Sequence, residues 1–217
     1  MRRTHAEVAV LVSGGIESAS MLAGMKRRGR RIQPVYVREG HAWERAELYW
    51  LPRLIRALQL PPAAVLDMPM SDTYLPGHWS LSGRAPSARS RDEAVYLPGK
   101  NILLLAKAAV FSAQRGIGAI ALGTLGSNPF PDAGSAFFRL MQRALSEGLG
   151  TPLRLERPFS ALHKRDVLLR FPRMPWQLTF SCISPRGWLH CGRCNKCAER
   201  KKAFLDAGLT DPTRYRA

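Results

Sequence analysis

The sequence predicts an α/β fold: a doubly wound, mostly parallel sheet with helices between its strands. Short apolar runs of strand length alternate with longer helical stretches along the chain, and this alternation favours parallel pairing through right-handed crossovers. The chain has 217 residues, 46% of them hydrophobic and 23% charged, which suffices for one ordinary core. This composition excludes a disordered chain, and the apolar runs are too short to span a membrane.

Five apolar runs are predicted to form the strands, at residues 6–12, 31–37, 63–68, 117–124 and 153–159. Helices are predicted at residues 16–28, 41–59, 101–116, 136–148 and 163–171. Gly29 follows the first helix, where a C-terminal cap is expected. Pro52 is expected to kink or interrupt the second. Ligands of such sheets bind beyond the carboxyl ends of the strands, so the loops after the first, second and fifth strands are where a site is expected.

Residues 71–93 break this pattern, because they are rich in Pro, Gly, Ser and Arg and show no periodicity. The segment is longer than a routine connection. Two interpretations stay open at this point: a loop that covers the substrate, and a passive insertion.

The charge balance is strongly basic, with 33 Lys and Arg against 16 Asp and Glu and a net charge of +17. Such a balance predicts attraction to nucleic acid or to phosphorylated small molecules, although an Arg-rich proteome gives the same balance without any function. Nucleic acid is therefore a conceivable partner but not the favoured one. The first five residues are not followed by an apolar region of signal-peptide type, so we expect a cytoplasmic protein with no membrane contact.

The stretch Ser13-Gly14-Gly15 lies between the first predicted strand and the first predicted helix. Backbone N–H groups and the helix dipole favour an anion at such a position, and glycines let the backbone approach a phosphate closely. Ser13 and Ser18 add hydroxyl groups. The spacing matches neither the Walker loop nor G-x-G-x-x-G, so either another kind of phosphate loop or a tight structural turn is predicted.

The four cysteines lie close together in the sequence, as Cys182, Cys191, Cys194 and Cys197. Their two-residue gaps suit the thiolate ligands of a tetrahedral metal ion. Because four protein ligands leave no position for a catalytic water, one structural Zn²⁺ is predicted. An iron–sulfur cluster uses the same ligand set and stays open. His190 is expected beside the metal or facing solvent rather than as a fifth ligand.

Two motifs at opposite ends of the chain resemble those of one enzyme family. The sequence SGGIES at 13–18 resembles SGGxDS, the signature of the PP-loop ATP pyrophosphatases, with Glu17 in place of the aspartate. Residues 180–204 resemble the C-terminal zinc segment of the 7-cyano-7-deazaguanine synthase family, S-C…H-C-G-x-C-x-x-C-x-x-R-x-x-A-F. The matching residues are Ser181, Cys182, His190, Cys191, Gly192, Cys194, Cys197, Arg200, Ala203 and Phe204.

Shorter similarities to the same family lie between these motifs. LPGKN at 97–101 resembles P-G-R-N before a helix, with Lys100 in place of the arginine, and His41 and Glu44 match an H-x-x-E after the second strand.

Residues 128–138 resemble the family's substrate segment Y-P-D-C-R-P-E-F only in part. Pro131 and Asp132 match, whereas Ala133 and Gly134 stand where cysteine and arginine are usual, and no glutamate follows. Asp132 is the predicted partner of a deazaguanine amidine edge, since a carboxylate accepts two N–H groups in parallel.

The resemblance implies a PP-loop, Rossmann-like α/β domain over residues 1–175 and a zinc-binding helical segment over residues 176–217. It implies that ATP with Mg²⁺ adenylates the carboxylate of 7-carboxy-7-deazaguanine, that ammonia gives an amide, and that a second adenylation leads to the nitrile.

The implied nucleotide-binding residues are Val12, Ser13, Gly14, Gly15, Ile16, Glu17 and Ser18. The implied catalytic residues are Ser13, Glu17, Ser18, Lys100 and Lys164, with the two lysines as cations for phosphate oxygens. The implied substrate residues are His41, Glu44, Asn101, Phe130 and Asp132, with Phe130 stacking on the base. The implied metal ligands are Cys182, Cys191, Cys194 and Cys197. A homodimer is expected.

Three alternatives remain open from the sequence. A protein amine could replace ammonia as the acceptor, which the altered 132–138 segment and the positive charge would suit. The chain could instead be a PP-loop tRNA-modifying enzyme, although all four cysteines are assigned to the metal and none is left for sulfur transfer. Finally, it could be a nucleotide-binding scaffold without turnover.

Overall fold

The computed structural model describes residues 7–216, which fold around one five-stranded sheet. Its strands are β1 (Glu7–Leu11), β2 (Arg31–Arg38), β3 (Ala64–Asp67), β4 (Ala119–Ala121) and β5 (Arg154–Glu156). They lie in the order β3-β2-β1-β4-β5, and every neighbouring pair is parallel. The predicted parallel α/β sheet is therefore confirmed. Residue 6, the first of the predicted first strand, and the five residues before it lie outside the described part.

The helices within residues 7–216 are α1 (Ile16–Arg27), α2 (Glu44–Ala57), α3 (Trp79–Ser82), α4 (Lys100–Ala113), α5 (Ser135–Gly148), α6 (Lys164–Arg170) and α7 (Asn195–Asp206). Helix α2 continues through Pro52, so the expected interruption does not occur. A proline inside a helix costs about 3 kcal/mol, and the burial of Leu51, Leu54 and Ile55 on the α2 face around it offsets that cost.

The two faces of the sheet carry separate apolar layers, and β1 supplies both by alternation. Val8 and Val10 pack with one layer and Ala9 and Leu11 with the other. Helices α1, α2, α6 and α7 contribute to the first layer, and α4 and α5 to the second. The central strand is thus buried on both sides, as expected for a parallel sheet.

The order of the strands reverses between β1 and β4, and the chain leaves both strands toward the same edge of the sheet. Gly123 lies two residues after the end of β4 and packs against the start of α1, next to the loop that follows β1. A Cβ atom at Gly123 would lie 2.9 Å from the Cβ of Glu17 and 3.2 Å from its carbonyl carbon. Only glycine allows the two loops to approach this closely.

The C-terminal segment is tied both to the core and to the loop after β1. Phe204 of α7 belongs to the first apolar layer. Arg200, which is fully buried, donates to the Thr179 hydroxyl at 2.9 Å and to the Trp176 carbonyl at 3.0 Å. The N–H of Phe180 donates to the carbonyl of Gly14 at 2.8 Å. The cysteine-bearing segment is thereby bonded directly to the predicted phosphate loop.

Among residues 7–216, the segment 92–113 is long and apolar enough by composition to cross a membrane. It contains a short 3₁₀ turn and α4, separated by Gly99 in a left-handed conformation with φ 71°. The α4 residues Leu105, Ala108 and Phe111 are buried in the second apolar layer. Its place in the core accounts for these buried residues, whereas Ile102 and Val110 of the same helix are exposed.

Candidate active site and metal centre

The loop after β1 has the geometry of an anion-binding turn. Gly14 has φ 83°, a left-handed conformation that favours glycine, and Gly15 caps the start of α1. The N–H of Gly14 donates to Ser18 Oγ at 3.1 Å, and that hydroxyl donates to the Gly15 carbonyl at 3.2 Å. Ser18 therefore closes the turn from inside, whereas Ser13 is exposed. The first N–H groups of α1 have no intrahelical acceptor, so they are oriented for a phosphate.

The loop opens into a cavity of about 650 Å³ whose wall carries a chain of ion pairs. Lys164 Nζ lies 2.9 Å from Glu17 Oε1 and 2.6 Å from Glu199 Oε1, and Lys196 Nζ lies 2.8 Å from Glu199 Oε2. Helices α1, α6 and α7 each contribute to this chain. Three distant parts of the sequence are thereby linked beside the loop.

The charges of this chain are fixed by its partners. Burial opposes protonation of Lys164, but Glu17 and Glu199 outweigh it and raise the pKa of Lys164. Burial likewise opposes ionisation of Glu199, but Lys164 and Lys196 lower its pKa to about 2. Lys164 and Lys196 thus both face the cavity, each within ion-pair distance of a carboxylate. They are positioned for anionic oxygens of a ligand.

A second cavity of about 370 Å³ adjoins the first on the side of β2 and α4. The two share the residues Ser13, Glu17, Glu47, Gly123, Asn128, Phe130 and Lys196. Aromatic faces line the smaller one: Trp43 stacks between His41 and Trp79, with ring centroids 4.5 Å and 5.6 Å away. Across from them, Phe130 lies 4.9 Å from the ring of Tyr96. The smaller cavity is suited to a planar molecule.

The 71–93 segment supplies part of this wall. Its helix α3 carries Trp79, which lines the smaller cavity, and the carbonyl of Ser80 accepts from the N–H of Ala42 at 2.8 Å. At its other end, the carbonyl of Pro86 accepts from the N–H of Asn195 at 2.9 Å. This placement favours the substrate-covering interpretation over the passive one.

A buried acid–base cluster lies at the carboxyl end of β2. Lys100 Nζ lies 2.8 Å from Glu39 Oε2 and 3.3 Å from His41 Nε2, and His41 Nε2 lies 3.2 Å from the same Glu39 oxygen. Burial opposes ionisation of Glu39, but Lys100 and His41 outweigh it and lower its pKa. Burial lowers the pKa of His41. The cluster is thus a Glu⁻–Lys⁺ pair with a neutral imidazole beside it.

The carboxylate of Asp132 is hydrogen-bonded to the protein backbone at the start of α4. Its Oδ2 accepts from the N–H of Asn101 at 2.9 Å, and the Asn101 side chain donates to the Asp132 carbonyl at 2.9 Å. A carboxylate at a helix N-terminus is stabilised by the unpaired N–H groups there. The two predicted substrate residues are therefore bonded to each other.

Two glutamates on α2 approach the smaller cavity in different ways. The Oε1 of Glu44 accepts from the N–H groups of Glu39 and Gly40, so it holds the turn after β2. Glu47 lines both cavities, and its Oε2 accepts from the hydroxyl of Tyr36 at 2.6 Å. Burial raises the pKa of Glu47 to about 8.

The four cysteines form one compact group. Their sulfur atoms all lie within 4.8 Å of one another and are buried, and Sγ–Sγ distances are 3.9 Å for Cys182–Cys194 and for Cys191–Cys197. A tetrahedral Zn²⁺ with Zn–S bonds of about 2.3 Å has sulfur–sulfur edges of about 3.8 Å. The group therefore fits a single metal ion. His190, buried between Phe180 and Tyr215, accepts from the N–H of Ser181 at 3.1 Å and is neither a ligand of this group nor solvent-facing.

The structure brings the predicted residues together at two places. Around the loop and larger cavity lie Val12, Ser13, Gly14, Gly15, Ile16, Glu17, Ser18 and Lys164. At the smaller cavity lie His41, Glu44, Lys100, Asn101, Phe130 and Asp132. Lys100 is on the smaller cavity, paired with Glu39, rather than beside Lys164.

Sequence reasoning missed Glu39, Glu47, Lys196 and Glu199. Glu39 stands directly after β2, where the strand-end rule places ligand contacts, so its position could have identified it. Lys196 and Glu199 are three residues apart on one helix, a spacing that places them on one face. For Glu47 no sequence signal exists, since its importance comes from burial against Tyr36.

Comparisons with known proteins agree with this geometry. The family description "Queuosine biosynthesis protein QueC" matches residues 7–208. The chain is 32% identical to a 7-cyano-7-deazaguanine synthase of Anaeromyxobacter sp. (strain Fw109-5), covering 99% of this chain and 98% of that one. It is 33% identical to the synthase of Paracoccus denitrificans (strain Pd 1222), covering 95% and 91%.

Two solved structures share the fold. One is the U34-tRNA thiolase NcsA from Methanococcus maripaludis with its [4Fe-4S] cluster, at a TM-score of 0.54 and 12% identity, covering 94% of this chain and 66% of that one. The other is a predicted tRNA methyltransferase subunit from Methanocaldococcus jannaschii, at a TM-score of 0.51 and 14% identity, covering 76% and 73%. With a phosphate loop, a four-cysteine centre and a profile match along nearly its whole length, the chain belongs to the QueC family.

Proposed function

We propose that the protein is an ATP-dependent ligase that activates the carboxylate of a 7-deazaguanine and couples it to ammonia, giving the amide and then the nitrile. One observation carries this proposal: the loop after β1 lies at the junction of two adjoining cavities, one lined by ion-paired lysines and glutamates and one by aromatic rings. ATP in the larger cavity and a planar carboxylate in the smaller would meet beside Ser13 and Glu17. The names of the relatives support the same substrate.

The chemistry needs an activated oxygen, because a carboxylate is a poor electrophile. Its oxygen attacks the α-phosphorus of ATP, pyrophosphate leaves, and an acyl adenylate forms. Ammonia then displaces AMP to give the amide. The amide oxygen attacks a second ATP, pyrophosphate leaves, and loss of AMP and of both N–H protons gives the nitrile.

The residues of the loop and larger cavity would stabilise the departing pyrophosphate. The N–H groups at the start of α1 donate to its oxygens, and Lys164 and Lys196 neutralise its charge. Glu17 holds Lys164 in place and, together with Ser13, is positioned to hold Mg²⁺. That ion would supply further charge neutralisation when bound.

For the metal centre we propose one structural Zn²⁺ held by Cys182, Cys191, Cys194 and Cys197. The sulfur–sulfur distances of 3.9 Å fit a single tetrahedral ion. The NcsA relative in fold carries a [4Fe-4S] cluster, so metal analysis must separate the two. Zinc at one equivalent without iron or acid-labile sulfide is the expected result.

The activity test is incubation of the purified protein with ATP, Mg²⁺, ammonium and 7-carboxy-7-deazaguanine. We expect AMP and pyrophosphate, with the amide and then the nitrile detected by mass spectrometry. The Lys164→Met variant serves as the inactive control. Absence of AMP and of both products from the wild-type protein would overturn the proposal, and AMP formation dependent on tRNA would favour the tRNA-modifying alternative.

A protein amine is a second candidate acceptor, favoured by the replacement of the usual cysteine and arginine by Ala133 and Gly134 in the 128–138 segment. An acyl adenylate reacts with any well-placed amine, so the activation step would be unchanged. If the wild-type protein forms AMP but no free amide with ammonium, mass spectrometry of partner proteins should reveal a deazaguanine adduct. The expected homodimer is checked by light scattering.

A further inference from the structure

We infer that Glu39 and Lys100 together recognise the guanine-type edge of the base in the smaller cavity, and that Asp132 holds Lys100 in position rather than contacting the base. This inference rests on the proposed function for the class of substrate. It assigns the specificity of the site to a residue outside the predicted substrate motifs.

One carboxylate oxygen of Glu39 is available to accept a hydrogen bond from a ligand. Its side chain is only 3% exposed, and its Oε2 is engaged by Lys100 at 2.8 Å and by His41 at 3.2 Å. Within residues 7–216 its other oxygen, Oε1, has no hydrogen-bond partner. An ionised oxygen that is buried without a donor is costly, and a ligand N–H in the smaller cavity, which Glu39 lines, would remove that cost.

Lys100 offers a donor next to this acceptor. Its ammonium group has three N–H groups, and Glu39 accepts one of them. The neutral His41 donates from Nε2 to Glu39 and therefore accepts none from Lys100. The Lys100 side chain remains 34% exposed, so a further N–H can reach a ligand.

This pair matches the edge of the base. A guanine-type ring presents the O6 acceptor beside two donors, the ring N–H and the 2-amino group. A Glu–Lys pair with 2.8 Å between its charged atoms places a cationic donor and an anionic acceptor side by side in the same order. The neutral state of His41 leaves the pair's charges undisturbed, since burial lowers the pKa of that imidazole.

Asp132 has a different role because, within residues 7–216, neither of its carboxylate oxygens is buried without a partner as Oε1 of Glu39 is. Its Oδ2 accepts from the backbone N–H of Asn101, the second residue of α4. Lys100 is the first residue of the same helix. By anchoring the start of α4, Asp132 fixes the direction in which Lys100 enters the cavity.

The test compares two substrates that differ at one group, 7-carboxy-7-deazaguanine and its analogue lacking the 2-amino group. We expect the wild-type protein to prefer the first by at least about tenfold in kcat/KM, because a buried acceptor discriminates against a ligand without its donor. In Glu39→Gln the amide oxygen stays on Lys100 and the NH₂ faces the base donors. The preference should then fall below about threefold, with the KM for ATP unchanged.

Lys100→Met and Asp132→Asn complete the design. A second analogue, which lacks O6, tests the lysine. Lys100→Met should no longer discriminate against this analogue, but it should still discriminate against the analogue without the 2-amino group. Asp132→Asn should lower the melting temperature and slow both substrates together, with the preference ratio unchanged. Circular dichroism and metal content establish that each variant is folded.

The outcomes separate this inference from the proposed function. Equal losses for both substrates in Glu39→Gln, or no loss, overturn the assignment of Glu39, and a changed ratio in Asp132→Asn overturns that of Asp132. Calorimetric titration of the bases alone is independent of turnover. If the wild-type protein forms no AMP but binds 7-carboxy-7-deazaguanine more tightly than the analogue without the 2-amino group, the proposed reaction is wrong and the role of Glu39 and Lys100 stands. If it binds neither base, the proposed reaction and this inference are both wrong.

Discussion

The two adjoining cavities are built in opposite ways. The larger one surrounds a contiguous loop, and its charges come in pairs that link α1, α6 and α7. The smaller one is assembled from the end of β2, the start of α4, the 71–93 segment and residues near Asp132, with an unpartnered carboxylate oxygen inside it. The two cavities therefore differ in their charges: those beside the loop are already paired within the protein, whereas the smaller cavity holds a buried carboxylate oxygen for which a ligand could supply the donor.

The largest expected effect concerns the metal centre, because it supports both cavities: its cysteines pack with Trp43 and Trp79 of the smaller one, and α7 carries Lys196 and Glu199 of the larger one. Cys197→Ser removes one of the four buried cysteines, in the first turn of α7, the helix that also carries Glu199. We expect loss of the bound metal, a fall of about 4 kcal/mol or more in the free energy of unfolding, and AMP formation at background. Elemental analysis, chemical denaturation and AMP release measure the three effects.

Ser184→Ala is the matched control, since Ser184 bonds Cys182 through its backbone N–H and the side chain is dispensable for that contact. It should keep the metal and the activity. A Cys197→Ser protein that retained one equivalent of metal and normal AMP release would contradict the structural role of the centre.

Lys164→Met tests the ion-pair chain itself. The change leaves Glu17 and Glu199 close together in the wall of the larger cavity without their shared cation. We expect kcat/KM for ATP to fall by about 100- to 1,000-fold, with binding of the deazaguanine base unchanged in calorimetry. Lys107→Met, on the exposed face of α4, is the control. A parallel loss of base binding would show that the two cavities are not separable.

The fold was largely predictable from the sequence because its signals are local. Each of the five strands coincides with an apolar run, and helices follow at the predicted places. Pro52 is the instructive exception, since the sequence rule concerns the helix alone and the observed helix is also stabilised by packing of its buried face. Likewise, β4 is only three residues long, and Gly123, two residues past its end, lies against Glu17, a contact that the apolar pattern does not predict.

The site was predictable only where its residues are adjacent in sequence. Ser13 to Ser18 and the four cysteines could be identified by spacing. The pairing of Glu39 with Lys100 joins positions 61 apart, and that of Glu17 with Lys164 joins positions 147 apart. The motif around Asp132 pointed to the base, but only the backbone geometry of α4 shows that its carboxylate is already bonded.

Gly123→Ala should give a smaller effect that probes the contact between the two loops. A methyl group there meets Glu17 Cβ at 2.9 Å, and overpacking of this kind costs about 1–3 kcal/mol. We expect the KM for ATP to rise about tenfold as the phosphate loop moves. Gly118→Ala is the control, because its nearest neighbour, the Pro152 carbonyl oxygen, lies 3.9 Å away. Equal kinetics for the two variants would rule out a functional role for the close approach.

The smallest expected effect concerns Glu47, which lines both cavities and therefore lies at the boundary between them. Burial raises its pKa from 4.5 to about 8, so between these values the folded protein holds a proton that the unfolded chain has released. The free energy of unfolding should therefore fall as pH rises from about 5 to 8. Glu47→Gln keeps a partner for the Tyr36 hydroxyl but cannot ionise, so its urea denaturation midpoint should fall less over this range. If both proteins showed the same slope, Glu47 would be ionised in the folded state, and the boundary between the cavities would carry a full negative charge at neutral pH.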